Sequence, residues 1–434
     1  MAYLTFYFDQ FSFHPQTGEV CFNYSLSNGL SFHEEIVFPG APFNVDQKTE
    51  NALNQVLFLA HIACGISYYK AFLPNEIQVL SGNLTKEQAE FFDDFYLKGL
   101  GEFAIKNNLN LQGKIRFPFG EGVSEEVDLP LEAKALVPLG GGKDSCVVIE
   151  LLKELNIQAT GIACGGSKSQ SACAEKSGFP YITFKRTIDP QLIELNNSGN
   201  VYNGHIPITG VLAFLLWVLA LLRGEKYVVM ACEKSANSGN MQQGDLTINH
   251  QWSKSFEFEK MFYALTQSIT PDFRYFSLLR PISEAHIAKL FAQKCEKYFD
   301  VFTSCNKAFK LDLNKRIDRW CGVCDKCRFV FLILAPFMDK ENLIRAVGTN
   351  PLNDEKQVDG YRELLGLSGH KPFECVGEVD ECRWAFNQLK RNSAWQDDCV
   401  VKALDTPTVP APFDVSDEHL IPKELQDVMA RFRS

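Results

Sequence analysis

Val137-Pro138-Leu139-Gly140-Gly141-Gly142-Lys143-Asp144-Ser145 is the stretch on which the reading of this chain turns. Ala135 to Leu139 has the short apolar run of a buried strand, and Val148, Leu151, Leu152 and Leu155 recur at helical spacing after the glycines. A glycine run between a strand and a helix start lets the backbone come close to an anion. The first amides of the helix point at that anion, and Lys143 adds a full positive charge. Phosphate is the expected occupant of Gly140, Gly141, Gly142, Lys143, Asp144 and Ser145, with the two charged side chains expected to serve the ligand and not the core. The spacing is not a Walker loop, because Val137 stands where its first glycine belongs and Asp144 where Ser or Thr should follow the lysine; nor is it the G-x-G-x-x-G of dinucleotide sites. The plainer reading is a tight turn with Ser145 as the helix N-cap.

Outward from the loop, apolar strands at Ala135–Leu139, Ile157–Cys164, Tyr181–Phe184 and Tyr227–Ala231 alternate with helical segments, which predicts an α/β fold with a parallel, doubly wound sheet over about 132–338. Residues 1–131 open with strand patterns at Val20–Leu26 and Leu30–Phe38, then helical ones at Glu50–Phe72 and Thr85–Asn107, and predict an α+β domain. After Pro336 the sequence is more polar, with helices expected at Gln357–Leu365 and Glu381–Gln388 and a proline-rich stretch at Thr406–Pro412; 339–434 is expected to be a small C-terminal domain or an appendage covering the site. The uncharged run Ile206–Leu222 holds Pro207 and Gly210 and is short for a bilayer, so it is expected to be a buried helix.

The 434 residues suit two or three domains. With 46% apolar and 22% charged residues the chain is globular, and a net charge of -10 with no basic run argues against a non-specific grip on nucleic acid. The N-terminal sequence has no basic leader, and the 14 cysteines are widely spread, so a reducing cytoplasm is expected, with thiols free or bound to metal. Cys321-Gly322-Val323-Cys324-Asp325-Lys326-Cys327, with Cys305 before it, supplies four thiolates, enough for a tetrahedral structural zinc site. An iron–sulfur cluster is the alternative for C-x2-C-x2-C, but the further cysteine expected just afterwards is missing. Glu233, Ser235, Asn237 and Asn240 follow the strand ending at Ala231 and are either ligand contacts or a solvated loop. Asn249–Lys254, with His250 and Lys254, reads as a segment able to close on a substrate. Cys375, with His370, Lys371 and Glu378 nearby in sequence, is either a reactive thiol or one more buried cysteine.

Gly-Gly-Gly-Lys-Asp-Ser at a strand-to-helix junction resembles the SGGKDS loop of the PP-loop ATP pyrophosphatases, with Gly140 in place of the serine. The resemblance implies an adenine nucleotide alpha-hydrolase-like fold and ATP bound with Mg²⁺. It further implies pyrophosphate cradled by Gly141–Ser145, the nucleoside near Ala163–Gly166, and an adenylated carboxylate as product. Ser304-Cys305 with the cysteine triplet also looks like the zinc end of the enzymes that make 7-cyano-7-deazaguanine. When Phe11-Ser12-Phe13 to Gly40, Cys321–Phe337 and His370–Val379 are included, the chain is similar over nearly its whole length to the UDP-N-acetylmuramoyl-L-alanyl-L-glutamate epimerases of peptidoglycan synthesis. That resemblance implies ATP-dependent inversion of the terminal L-Glu of the nucleotide dipeptide, with no nucleic-acid or membrane partner and an L-Glu-adding ligase upstream. The residues alone reach an adenylating enzyme, which leaves a 7-cyano-7-deazaguanine synthase-like or other carboxylate ligase, and a nucleotide-binding module without turnover, as alternatives.

Overall fold

The computed structural model describes residues 4–122, 124–244, 246–309, 316–368 and 374–433. The chain divides into two interleaved units: one of residues 1–136, 182–228 and 248–275, the other of 137–181, 229–247 and 276–434.

In the first unit, β1 (Thr5–His14), β2 (Glu19–Leu26) and β3 (Ser31–Val37) form an antiparallel meander. Period-two alternation sends Phe6, Phe8, Val20, Phe22, Tyr24 and Leu26 into the core. The β2–β3 turn holds Gly29 at φ 91°, the left-handed conformation that a tight hairpin requires. β4 (Glu76–Val79) runs parallel to β1, and β7 (Tyr181–Thr187) pairs antiparallel with β3. There Arg186 donates to the buried Glu34 carboxylate at 2.7 and 3.2 Å and to Ser67 Oγ at 3.0 Å, so neither charge is left unpaired. β5 (Glu132–Pro138) pairs in parallel with β8 (Glu225–Met230).

The helix Gln47–Phe72 starts where Asp46 accepts from Thr49 N at 2.8 Å, and it packs on the helix Ile208–Arg223. The latter takes up most of the uncharged run Ile206–Leu222, and between Gly210 and Leu221 it is largely buried, as expected. Trp217 Nε1 finds Thr270 Oγ1 at 2.9 Å, and a Cβ on Gly210 would lie 2.5 Å from Phe95. Among the described residues no helix is long and apolar enough to cross a membrane. The single helix expected at Thr85–Asn107 is two, Lys86–Gly99 and Gly101–Lys106. Gly99 and Gly101 flank the break at Leu100, and a Cβ on Gly99 would meet Pro207 at 2.5 Å.

In the second unit, Leu139 N donates to Ile162 O and Gly161 N to Pro180 O, each at 2.8 Å, so β6 (Gln158–Cys164) lies between the ends of β5 and β7. Leu278 N donates to Met230 O at 3.1 Å, setting the end of β11 (Arg274–Ser277) beside β8. The strand order is β11-β8-β5-β6-β7-β3-β2-β1-β4, a mixed α/β sheet, and β9 (Met241–Gln243) and β10 (Leu246–Ile248) form a separate ribbon. Helices Lys143–Glu154 and Lys168–Ser177 carry the chain from β5 to β6 and from β6 to β7, which is how side-by-side strands with helical crossovers are connected. The helix Glu284–Lys294 packs on Lys143–Glu154, and Asp325–Leu334 packs on Glu284–Lys294 and Val379–Lys390. The expected helix at Gln357–Leu365 is found at Val358–Leu364, and Thr406–Pro412 has no regular structure. In this unit the loops after β5, β6 and β8 all leave the carboxyl ends of their strands, where open α/β sheets hold their ligands.

Candidate active site

The glycine loop follows β5, and its shape comes from contacts on two sides. Gly141 sits at φ 76°, and its carbonyl accepts from Thr303 N at 2.8 Å. A Cβ there would lie 2.9 Å from Ser169 Oγ; one on Gly142 would lie 2.7 Å from Ser304 Oγ. A Cβ on Gly140 would meet nothing within 4 Å and the residue is exposed, so this side of the loop is open. Gly142, not Ser145, is the N-cap of the helix Lys143–Glu154, and no side chain caps it. Ser145 is inside the first turn and its hydroxyl returns to the Gly142 carbonyl at 3.1 Å. The first amides of this helix are therefore not consumed by a capping side chain.

Lys143 departs from expectation. Its side chain is turned inward, fully buried, and ion-paired with both Asp144 and Glu284. Burial disfavours its charge, but the two carboxylates outweigh burial and hold the ammonium above the ordinary lysine value. Glu284 is pushed up to about 7, by burial first and then by Asp144 and Glu233, against the pull of Lys143 and Lys326. Glu381 is likewise pushed to about 7 by burial and by Glu284, although its carboxylate accepts from Ala285 N at 3.2 Å and Glu378 N at 2.9 Å, at the starts of two helices. Asp144 keeps 26% of its side chain exposed. The loop thus presents an open glycine face, one partly exposed carboxylate, and a buried Lys143–Glu284 pair behind them.

At the end of β6, Ala163 is buried, and beyond the strand Gly165 and Gly166, both at positive φ, turn the chain sharply into the next helix. After β8, Glu233 is buried; its backbone carbonyl accepts from the buried Arg280 at 2.8 Å, and Ser235 Oγ reaches its carboxylate at 3.4 Å. This stretch is not a plain solvated loop, although Asn237, at the end of the turn Lys234–Asn237, is exposed. Glu378 accepts from Ser238 Oγ at 2.5 Å and lines a cavity of about 90 Å³ with Lys234, Ser235, Ser283, Glu381 and Asp414.

The four cysteines of the motif come together. Sγ separations are 3.4 Å for Cys324–Cys327, 3.8 Å for Cys321–Cys327 and 3.9 Å for Cys305–Cys324. A tetrahedral ion with sulfur bonds of about 2.3 Å needs edges of about 3.8 Å, so these sulfurs fit a zinc ion with little movement. Hydrogen bonds from Cys324 and Cys327 favour the Cys305 thiolate, while Cys305 and Cys324 push the Cys327 thiol the other way. Between Cys324 and Cys327, Lys326 donates to the backbone carbonyl of Cys375. Cys375 itself is partly buried, while His370 and Lys371 lie outside the described residues.

His250 and Lys254 belong to the other unit. Most of Asn249–Lys254 is buried there, with Trp252 packed on Phe95 and Phe258 and its Nε1 held by Glu257 at 2.9 Å. His250 Nδ1 pairs with the buried Glu102. Burial works against the Glu102 charge, but His250, Lys106 and His205 hold it at about 2. Glu102, His205, Glu284, Glu381 and Lys326 escape a reading of the sequence. Only Lys326 carries a local signal, its place inside the cysteine motif.

The fold and these sites define an α/β protein whose candidate chemistry stands where its strands end, next to a thiol cluster fit for a metal. Residues 1–278 match the family model of the MurL N-terminal domain and residues 301–418 that of the MurL C-terminal domain; the chain belongs to the MurL family. It is 43% identical over 400 residues to the UDP-N-acetyl-alpha-D-muramoyl-L-alanyl-L-glutamate epimerase of Xanthomonas oryzae pv. oryzae, covering 92% of this chain and 88% of the relative. Epimerases of the same name from a Micromonospora strain and from Salinispora tropica are 40% and 41% identical, again over 92% of this chain and covering 90% and 88% of the relatives. No solved structure matches the chain.

Proposed function

We propose that this protein inverts the terminal L-Glu of UDP-N-acetylmuramoyl-L-alanyl-L-glutamate to D-Glu, in peptidoglycan precursor synthesis. The observation that carries this reading is identity of 40% to 43%, over 92% of the chain, with three epimerases named for that substrate. ATP activation is the finer part of the proposal, supported by the open glycine loop and its uncapped helix start.

The chemistry explains why ATP is needed. Removing the α-proton beside a free carboxylate would place a carbanion next to an existing negative charge. In the proposed sequence, a carboxylate oxygen of the terminal Glu attacks the α-phosphorus of ATP, forming the acyl–AMP bond as pyrophosphate leaves. The neutral carbonyl then delocalises the carbanion, so a base of ordinary strength removes the α-proton and an acid returns one from the opposite face. Water cleaves the acyl–AMP bond, releasing AMP and the D-Glu carboxylate, which makes the inversion irreversible. Gly140, Gly141, Gly142 and the amides of Lys143 to Ser145 are the groups for the phosphates, with Ala163 near the nucleoside and Glu233 and Asn237 as further contacts. Mg²⁺, offsetting the triphosphate charge, would be held by Asp144. Cys375, His250 and Lys254 are the candidates for proton transfer at Cα, and Zn²⁺ on Cys305, Cys321, Cys324 and Cys327 would be structural.

The test is incubation with the UDP dipeptide, Mg²⁺ and ATP, followed by hydrolysis and chiral analysis of the glutamate. D-Glu formed with matching AMP and pyrophosphate supports the whole proposal. D-Glu formed without ATP would remove the adenylate step, and L-Glu alone would remove the epimerase reading.

A further inference from the structure

The first unit gathers a second set of metal-ligating side chains, chemically unlike the four sulfurs. Glu102 lies on the short helix Gly101–Lys106, with only 4% of its side chain exposed, and Lys106 on the same helix holds its Oε1. Its Oε2 is faced by two imidazoles: His250 Nδ1, in direct contact, and His205 Nδ1 at 3.4 Å. The rings of His205 and His250 are 4.6 Å apart at their centroids, and one ligand atom from each of the three residues falls within 4.8 Å of the others. The residues are far apart in sequence, so the fold and not a local turn brings them together.

From this convergence we infer that Glu102, His205 and His250 form a binding site for a first-row transition dication such as Zn²⁺. Two imidazoles and one carboxylate are a donor set that such ions take, and three protein ligands leave a coordination position open for water or an anionic oxygen ligand. A tetrahedral ion with bonds of about 2.1 Å to nitrogen and oxygen has edges of about 3.4 Å. The His205–Glu102 spacing of 3.4 Å already matches this. The His250 contact has to open to the same spacing, a movement of about 1 Å within reach of a side-chain rotation. Lys106 fixes one carboxylate oxygen and leaves the other for the ion. Its positive charge weakens the site, which gives the inference a signed test. His250 is also one of the proton-transfer candidates named above, but neither the loop nor the thiolates contribute to this site, and metal uptake reads it without any turnover.

Cobalt(II) distinguishes the two sites, because thiolate ligands give intense near-ultraviolet charge-transfer bands and imidazole and carboxylate ligands do not. Metal-free full-length protein is titrated with Co²⁺. The expected result is two equivalents bound, one with the thiolate bands and one with only visible ligand-field absorption. His205→Ala should lose the second equivalent and keep the thiolate bands; His205 is partly exposed, and circular dichroism confirms that the variant folds. His250→Gln provides the same test should His205→Ala fail to fold. Lys106→Ala should bind the second ion more tightly, by about tenfold. Uptake of only the thiolate-bound ion by wild-type protein, or two equivalents retained by the folded histidine variant, would overturn the inference.

Discussion

Lys143→Ala tests the buried pair behind the glycine loop, and the structure sets both its size and its pH dependence. The substitution leaves the fully buried Glu284 without the cation that faces it. Removing one partner of a buried pair costs about 3–5 kcal/mol. Glu284 is already pushed to about 7 with the lysine present, well above the 4.5 of a free glutamate. A carboxyl raised in this way contributes stability that is complete below about 4.5 and fades as pH rises through about 7. Between pH 6 and pH 8 the wild-type protein therefore loses stability from this group, on the order of 1 kcal/mol. Without Lys143 the carboxyl is pushed further up, because burial remains and the facing cation is gone, so the loss over the same interval is larger. The variant's deficit should widen by on the order of 1 kcal/mol from pH 6 to pH 8. Urea unfolding of wild type, Lys143→Ala and the double variant Lys143→Ala/Glu284→Gln at both pH values measures this, and the double variant should recover most of the loss. A Lys143→Ala deficit that is negligible at pH 8, or equal at the two pH values, would refute the reasoning.

Asp144→Ala should abolish AMP and pyrophosphate formation with a thermal midpoint close to wild type, because this side chain is partly exposed; wild-type turnover would remove Asp144 from the site. Purified protein should carry one thiolate-bound Zn²⁺, and Cys321→Ser/Cys324→Ser should lose that equivalent while keeping any ion held by Glu102, His205 and His250, as read by elemental analysis; iron with a visible charge-transfer band would replace zinc on the sulfurs. Cys375→Ser should still release AMP from the L-Glu substrate yet incorporate little solvent deuterium at Cα in D₂O. Incorporation at the wild-type rate would clear Cys375 and turn attention to His250, Lys254 and Glu378.

What could be read from the sequence was written in short spans. The glycine run, the strand before it, the apolar faces of its helix and the closely spaced Cys321, Cys324 and Cys327 each declare themselves within a dozen residues. Lys143 was readable as a residue type but not in its surroundings. Glu284, which draws it inward, lies 141 positions away and carries no local mark beyond Ser283 as an N-cap. His250 and Glu102 are separated by 148 positions, so their pairing depends on how the helices Gly101–Lys106 and Ile208–Arg223 and the segment after β10 fold back within one unit. The helix break at Leu100 has the same cause: helical periodicity continues through Gly99 and Gly101, and only the approach of Pro207, 108 positions away, makes Gly99 necessary.

Three consecutive residues, Thr303, Ser304 and Cys305, run from the loop to the sulfurs: the first bonds the Gly141 carbonyl, the second crowds Gly142, and the third is a thiol of the cluster. The two ends of this tripeptide are at most about 7 Å apart. If the sulfurs hold zinc as proposed, an oxidant or chelator acting on them reaches the glycine loop through this short link. Thiol stress would then cost the loop its geometry together with the metal, and restoring activity would require both reductant and zinc.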